Sequence, residues 1–299
     1  MLDCVLSESM DCTKCTSRCV SKPKGQKGGR LSPFELLACE LPAMLRSISN
    51  DSKFADMLER LVGKAQKAAS ASGTKLEQGS INNNRGELNE VLVYLFGLAH
   101  INEVNHGKKT TFVPIKMPSS TEGRRFGSIF QKPSQKALEG VPIRFPNPDL
   151  LVVSSPAITS SRPSQLLFQN VTGLKKRNLQ VIIGDFREGY MAIMGKIRPS
   201  DVAAVISMKT TTRPDRRYIC LYESESIKSV FSRLGKKVRY FVFGLKLTKQ
   251  DKKVLEAPPV ACIADPGCTS FVPRIDGVFD IRTVGDLHTS LDEILNNWP

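Results

Sequence analysis

Four residues of the chain have the types and the spacing that phosphodiester hydrolysis requires. Asp149 follows a proline, Ser207 and Lys209 stand two positions apart, and Glu223 comes fourteen positions after the lysine. Carboxylate oxygens suit a hard cation such as Mg²⁺, which keeps several waters and binds few protein ligands. A nearby ammonium group can orient a metal-bound water or neutralise a phosphate oxygen. We therefore interpret Asp149 and Glu223 as metal ligands, with Lys209 and Ser207 beside them as catalytic residues.

Two apolar runs would position these side chains. Residues 202–206 predict a buried strand that ends at Ser207 and Lys209, and these two share one face because strand side chains alternate. A second apolar run, residues 150–153, begins directly after Asp149. Each motif also has an ordinary interpretation, since a Pro-Asp pair can simply initiate a strand. Only the joint spacing favours a nuclease.

A second charged motif lies between the lysine and the glutamate. Arg213, Asp215 and Arg216 flank Pro214, which suits the first turn of a helix because a missing N–H costs nothing there. Arginine pairs bidentately with guanine O6 and N7, and aspartate accepts from cytosine N4–H, so the trio suits G·C pairs in the major groove. The alternative is a solvated basic helix face.

Together the two motifs resemble the core of type II restriction endonucleases that recognise sites built on CCGG or CCNGG, within the PD-(D/E)xK nuclease superfamily. The residues that carry the resemblance are Asp149, Ser207, Lys209, Arg213, Asp215, Arg216 and Glu223. The resemblance implies an α/β fold with a central mixed β-sheet flanked by helices. It also implies Mg²⁺-dependent cleavage of double-stranded DNA that leaves 5′ overhangs, with Arg213, Asp215 and Arg216 as readers of the bases.

The family also uses a glutamate on an earlier helix, some sixty residues before the Pro-Asp pair. Glu87 and Glu90 both fit, since residues three apart lie on one helical face. We prefer Glu90 as the catalytic residue because it stands just before apolar core positions, and we keep Glu87 as the substitute.

Composition agrees with a nucleic-acid partner. The 299 residues carry a formal net charge of +14, and binding to phosphates is the expected use of such an excess. No apolar run approaches the length of a membrane-spanning helix, and the first residues lack the pattern of a signal peptide. We expect a cytoplasmic, prokaryotic protein.

The first thirty residues differ from the rest, and we expect them to form a basic Cys-rich arm ahead of a catalytic and DNA-recognition domain over 31–299. Four thiols at short spacing suit Zn²⁺, or else iron or an iron-sulfur cluster. They are Cys4, Cys12, Cys15 and Cys19. The alternatives are an arm with reduced thiols and no metal, or a site in which Cys39 or a C-terminal cysteine takes the place of Cys4.

Further elements follow from periodicity. We predict strands near 149–154, 179–183, 202–208, 238–247 and 259–263, and helices from 51, over 85–100, 216–234 and 284–295. Residues 107–138 are polar and predict a loop. Asp185 and Glu188 follow a predicted strand and are the alternative metal ligands.

Three functions remain at this point. The first is the restriction endonuclease, acting as a homodimer or tetramer on a palindromic site that a cognate methyltransferase protects in the host. The second is an iron-sulfur exonuclease of DNA repair or CRISPR systems, which would not need Arg213, Asp215 or Arg216. The third is a zinc-containing DNA-binding protein without catalysis.

Overall fold

A computed structural model describes residues 20–22, 28–33, 36, 37, 40, 44, 47–105, 112–117, 126–139, 148–154, 190, 193–211, 213–257 and 273–296. Its strands are β1 (Val20–Ser21), β2 (Arg30–Leu31), β3 (Phe112–Lys116), β4 (Leu150–Ser154), β5 (Val202–Lys209), β6 (Tyr240–Gly244) and β7 (Gly277–Asp280). Its helices are α1 (Phe54–Ala71), α2 (Gln78–Asn105), α3 (Lys132–Leu138), α4 (Pro214–Arg233), α5 (Lys249–Leu255) and α6 (Val284–Asn296).

The central sheet is mixed and has the strand order β3-β4-β5-β6-β7. β3, β4 and β5 pair antiparallel, whereas β5, β6 and β7 run parallel. β4 and β6 are buried along their whole length except for the last residue of β4, which explains why both are continuous apolar runs. A short antiparallel pair, β1 with β2, lies outside this sheet.

Helices cover the sheet and complete one core. α2 packs against β3, α1 and α6, and α4 packs against β6 and α5. On α4 the buried positions include Cys220, Leu221, Ile227 and Phe231, which recur at helical spacing and face the sheet. None of the helices in the described ranges is both long and apolar enough to cross a bilayer.

The stretch over 107–138 was predicted as a loop, and that prediction is wrong for its described parts. Residues 112–116 form β3 and residues 132–138 form α3. The apolar run is only four residues long and contains Pro114, which lowers its strand propensity. A proline is tolerated here because β3 is the edge strand of the sheet.

The start of α4 is a segment for which local propensity allowed a strand and the family resemblance implied a helix, and the structure has the helix. Residues 217–222 are rich in β-branched and aromatic side chains and equally suggest a strand, yet they are helical throughout. The predicted strands at 179–183 and 259–263 lie outside the described residues, as does the Cys-rich arm up to residue 19.

Candidate active site

The predicted site residues meet at one edge of the sheet. β4 and β5 are antiparallel, so Asp149 at the start of β4 lies beside the end of β5, where Leu150 pairs with Ile206. β3 ends next to them, because Lys116 pairs with Leu150 and the backbone N–H of Met117 donates to the Asp149 carbonyl oxygen at 3.1 Å. The strand ends therefore gather side chains that are far apart in the sequence.

Asp149, Ser207, Lys209 and Glu223 form one polar cluster. The Ser207 hydroxyl lies 3.2 Å from Asp149 Oδ2 and 3.0 Å from Glu223 Oε2, within hydrogen-bond distance of both. Lys209 Nζ lies 3.5 Å from the same oxygen of Asp149 and 3.8 Å from the same oxygen of Glu223. The backbone N–H of Met208 donates to Asp149 Oδ2 at 2.5 Å. The structure thus brings together the four residues that the spacing singled out.

The electrostatics of the cluster fix the charge of the lysine. Burial by itself disfavours the ammonium form, but the charges of Asp149 and Glu223 outweigh it and raise the pKa of Lys209 above its ordinary value. Lys209 is therefore a cation at neutral pH in the metal-free protein. Burial raises the pKa of Glu223, and the charge of Asp149 adds to the shift, while Lys209 opposes it.

Within the part of the chain that the structure describes, protein donors contact only one oxygen of each carboxylate. The side-chain hydrogen bonds and ion pairs of Asp149 reach Oδ2, and those of Glu223 reach Oε2. Among the described residues, none donates to Asp149 Oδ1 or Glu223 Oε1. Two such oxygens beside an ammonium group have the chemistry of a Mg²⁺ site completed by waters and a phosphate. No three His, Cys, Asp or Glu side chains in the described ranges form a metal site by themselves.

Glu90 approaches the same cluster from α2. Its Oε2 accepts a hydrogen bond from Lys116 Nζ at 3.0 Å, and the charges of Asp149 and Lys209 both act on it. Burial raises the pKa of Glu90 from 4.5 to about 7, the charge of Asp149 adds to the shift, and Lys116 opposes it. Glu87 is half-buried one turn earlier on the same helix and stays the substitute candidate.

The three predicted base readers stand at the start of α4. Arg213 is the residue before the helix and Pro214 is its first residue, as the sequence predicts. The side chains of Arg213, Asp215 and Arg216 are 67%, 57% and 48% exposed, and both arginines lie within 4.0 Å of Asp215 Oδ2. Lys209 ends β5 four residues before Arg213, so these three residues follow the cluster closely in the chain.

Three residues near the cluster were missed by sequence reasoning. Lys116 ends an apolar run just as Lys209 does, and that parallel was the available signal. Tyr240 donates from its hydroxyl to Glu223 Oε2 at 3.0 Å, and burial raises the pKa of the Cys220 thiol to about 12. No sequence signal distinguishes Tyr240 or Cys220 from ordinary core positions.

Other candidate ligands fall outside the described residues. They are Cys4, Cys12, Cys15 and Cys19 in the arm, and Asp185 and Glu188 in the alternative metal site.

Comparisons with known proteins agree on one group of enzymes. A family model described as Cfr10I/Bse634I restriction endonuclease matches residues 40–297. The chain is 22% identical over 266 residues to the type II restriction enzyme Cfr10I of Citrobacter freundii, a match that covers 83% of this chain and 90% of that enzyme.

Solved structures of the Bse634I restriction endonuclease have the same fold. One matches with a TM-score of 0.70 at 20% identity, over 93% of this chain and 98% of that chain. A second, of the type IIF enzyme with cognate DNA, matches with a TM-score of 0.71 at 20% identity, over 94% and 99%. The predicted α/β restriction-endonuclease-like fold is confirmed.

Proposed function

The chain belongs to the Cfr10I/Bse634I restriction endonuclease family, a group of type II site-specific deoxyribonucleases, and from this premise we propose how it recognises and cuts DNA. The proposal is Mg²⁺-dependent hydrolysis of a palindromic site with a CCGG or CCNGG core, leaving 5′ overhangs. One observation carries it: Asp149, Glu223 and Lys209 meet within 4 Å at a sheet edge from which the exposed Arg213–Arg216 helix start projects.

Asp149 and Glu223 would hold the Mg²⁺ ion through Asp149 Oδ1 and Glu223 Oε1, the two oxygens that accept no hydrogen bond from the described residues. When bound, the ion would lower the pKa of a coordinated water and spread the negative charge of the phosphate. The charge of Asp149 raises the pKa of Glu90, so Glu90 lies near enough to act in the same site, with Glu87 as the substitute.

Lys209 supplies the fixed positive charge of the site. Before metal binds, its raised pKa keeps the ammonium protonated, and we assign it the role of orienting a water or neutralising a phosphate oxygen. Ser207 lies within hydrogen-bond distance of both carboxylates and donates to one of them at a time. The side chain of Lys209 is only 11% exposed, which limits solvent screening of its interactions with Asp149 and Glu223.

Arg213, Asp215 and Arg216 would read the C·G pairs. Their side chains are exposed at the N-terminal end of α4, where a helix can enter the major groove end-on. The rest of the basic surface would bind phosphates, and affinity should therefore fall steeply with salt.

A palindromic site requires two-fold related readers, so we propose a homodimer or a higher assembly in which each subunit cuts one strand. The host would carry a methyltransferase that modifies the same site, because an unprotected genome would be cut. The thiols of the arm, Cys4, Cys12, Cys15 and Cys19, stay a predicted metal site without support from the described residues.

The test is digestion of unmethylated plasmid and genomic DNA with Mg²⁺, followed by sequencing of the cut ends. Discrete fragments that end at a CCGG or CCNGG core with 5′ overhangs support the proposal and give the flanking bases. Fragments that end at an unrelated sequence would refute the proposed reading by Arg213, Asp215 and Arg216. Progressive degradation would instead indicate an exonuclease, and salt-sensitive binding without cleavage a non-catalytic binder.

A further inference from the structure

We propose that Tyr240 is a positioning residue that holds Glu223 in the orientation required for metal binding. The proposal deepens the function proposed above and rests on it. Tyr240 is the first residue of β6, it is fully buried, and its hydroxyl donates to Glu223 Oε2 at 3.0 Å.

The need for such a residue follows from where Glu223 is attached. Asp149 and Lys209 are fixed to the sheet, whereas Glu223 is on α4, nine residues after its first residue. A carboxylate on a helix has to be aligned with groups on the strands by side-chain contacts. Tyr240 makes such a contact from the strand parallel to β5, directly across from Val205.

Ser207 alone does not suffice to orient both carboxylates, because its hydroxyl has a single proton. The Ser207 hydroxyl has two carboxylate acceptors at 3.2 and 3.0 Å, but it carries one proton and can serve only one of them at a time. Asp149 has a donor of its own in the Met208 backbone N–H. The corresponding donor for Glu223 is the Tyr240 hydroxyl. Lys209, at 3.8 Å, contributes charge and not a well-formed hydrogen bond.

The tyrosine hydroxyl also decides which oxygen is left for the metal. With Tyr240 and Ser207 both directed at Oε2, the carboxylate is held with Oε1 free of described donors. The Ser207 oxygen is also close to the Tyr240 hydroxyl, but a carboxylate is the stronger acceptor. Loss of the hydroxyl would let the Glu223 carboxylate rotate and exchange its two oxygens.

The backbone of Tyr240 is anchored independently of its hydroxyl. Its N–H donates to Asp276 Oδ2 at 2.7 Å, and its carbonyl oxygen accepts from the Asp276 N–H at 2.8 Å. Replacing the phenol with a phenyl ring therefore keeps the strand register and the packing. Tyr240→Phe consequently removes the hydrogen bond from the hydroxyl to Glu223, together with its contact with Ser207, and leaves the strand in place.

The chain offers a matched control in Tyr190. Its side chain is also fully buried, and its hydroxyl lies 2.6 Å from Ser128 Oγ. Tyr190→Phe thus removes a buried phenolic hydroxyl that is hydrogen-bonded to a serine and not to Asp149 or Glu223. The two variants separate the effect on Glu223 from the general effect of losing a buried hydroxyl.

The experiment measures binding of Mn²⁺ alone to the full-length protein, from the free-ion signal in electron paramagnetic resonance. We expect Tyr240→Phe to bind Mn²⁺ about 10- to 100-fold more weakly than wild type, as is typical for loss of a residue that orients a metal ligand. Tyr190→Phe should bind it as wild type does. Equal Mn²⁺ affinity in Tyr240→Phe and wild type would overturn the proposal.

Two further measurements make the result specific. In a Glu223→Gln background, adding Tyr240→Phe should cause no further loss of Mn²⁺ affinity, because the hydroxyl acts only through the carboxylate. An additional loss of the full size would contradict a role through Glu223. Wild-type protein that cuts no DNA would refute the proposed function alone, since the Mn²⁺ comparison does not depend on cleavage.

Discussion

Replacing Lys116 with methionine should raise the pKa of Glu90 further. Lys116 Nζ donates to Glu90 Oε2 at 3.0 Å, and the lysine side chain is only 9% exposed. The pKa of Glu90 is already about 7, because burial and the charge of Asp149 outweigh the attraction of Lys116. Methionine keeps the length of the side chain and removes the charge that opposes the shift.

The size of the effect can be worked out from the contact. An opposite charge within 4–6 Å lowers a carboxyl pKa by about 1–3 units, so without Lys116 the pKa of Glu90 should reach about 8–10. At pH 7.5 the charged fraction of Glu90 would fall from about three quarters to about one quarter or less. Lys116→Arg keeps the charge and should leave the pKa near 7.

The assay is a ¹³C nuclear magnetic resonance titration of protein labelled at the glutamate carboxyl carbon, without metal, with the Glu90 signal assigned from Glu90→Gln. A midpoint near 7 in wild type and about 8 or above in Lys116→Met is the expected result. A wild-type midpoint near 4.5, or an unchanged midpoint in Lys116→Met, would refute the reasoning about burial and charge at this position.

Four further outcomes are expected. Lys209→Met should lower the single-turnover cleavage rate by about 100-fold or more with unchanged DNA affinity in Ca²⁺, because it removes a charge aimed at the reacting phosphate; a loss of affinity alone would contradict this. Arg216→Ala should weaken binding to the cognate duplex by about 1–3 kcal/mol in a fluorescence titration, and binding to unrelated DNA much less. Thr248→Ala should lower the urea-derived free energy of unfolding by about 1 kcal/mol without affecting cleavage, since its hydroxyl caps α5 by accepting from the Asp251 N–H. Burial and the charge of His100 lower the pKa of His288 to about 4, so the folded state favours the neutral ring. The free energy of unfolding of the wild-type protein should therefore fall as the pH is lowered from 6.5 towards 4. This fall should be about 2 kcal/mol larger in wild type than in His288→Gln.

The charged residues of the site could be predicted from the sequence because they follow local rules. Lys209 ends a buried strand, and Pro214 begins a helix, so their spacing in the chain already fixes where they stand in the fold. The predicted class of enzyme, a type II restriction endonuclease, is confirmed by the family match over residues 40–297. The roles of the individual residues stay predictions until variants are measured.

The contacts of the supporting residues with the site could not be predicted from the sequence, because they form only through tertiary packing. Lys116 reaches Glu90 only because β3 joins the sheet beside β4, and β3 itself was missed as a short run that contains a proline. Tyr240 resembles any buried aromatic residue until α4 places Glu223 above it. Periodicity predicts which face of an element is buried, but not which buried hydroxyl meets a carboxylate.

The most direct measurement of the central claim is cleavage of unmethylated DNA in Mg²⁺ by wild type beside Asp149→Asn. Glu59→Gln serves as the control, because Glu59 is an exposed carboxylate paired with Arg85, remote in sequence from the strand ends that form the cluster. The account predicts discrete fragments from wild type and from Glu59→Gln, and none from Asp149→Asn despite retained DNA binding. Cleavage by Asp149→Asn at the wild-type rate would contradict the assignment of the catalytic centre to this edge of the sheet.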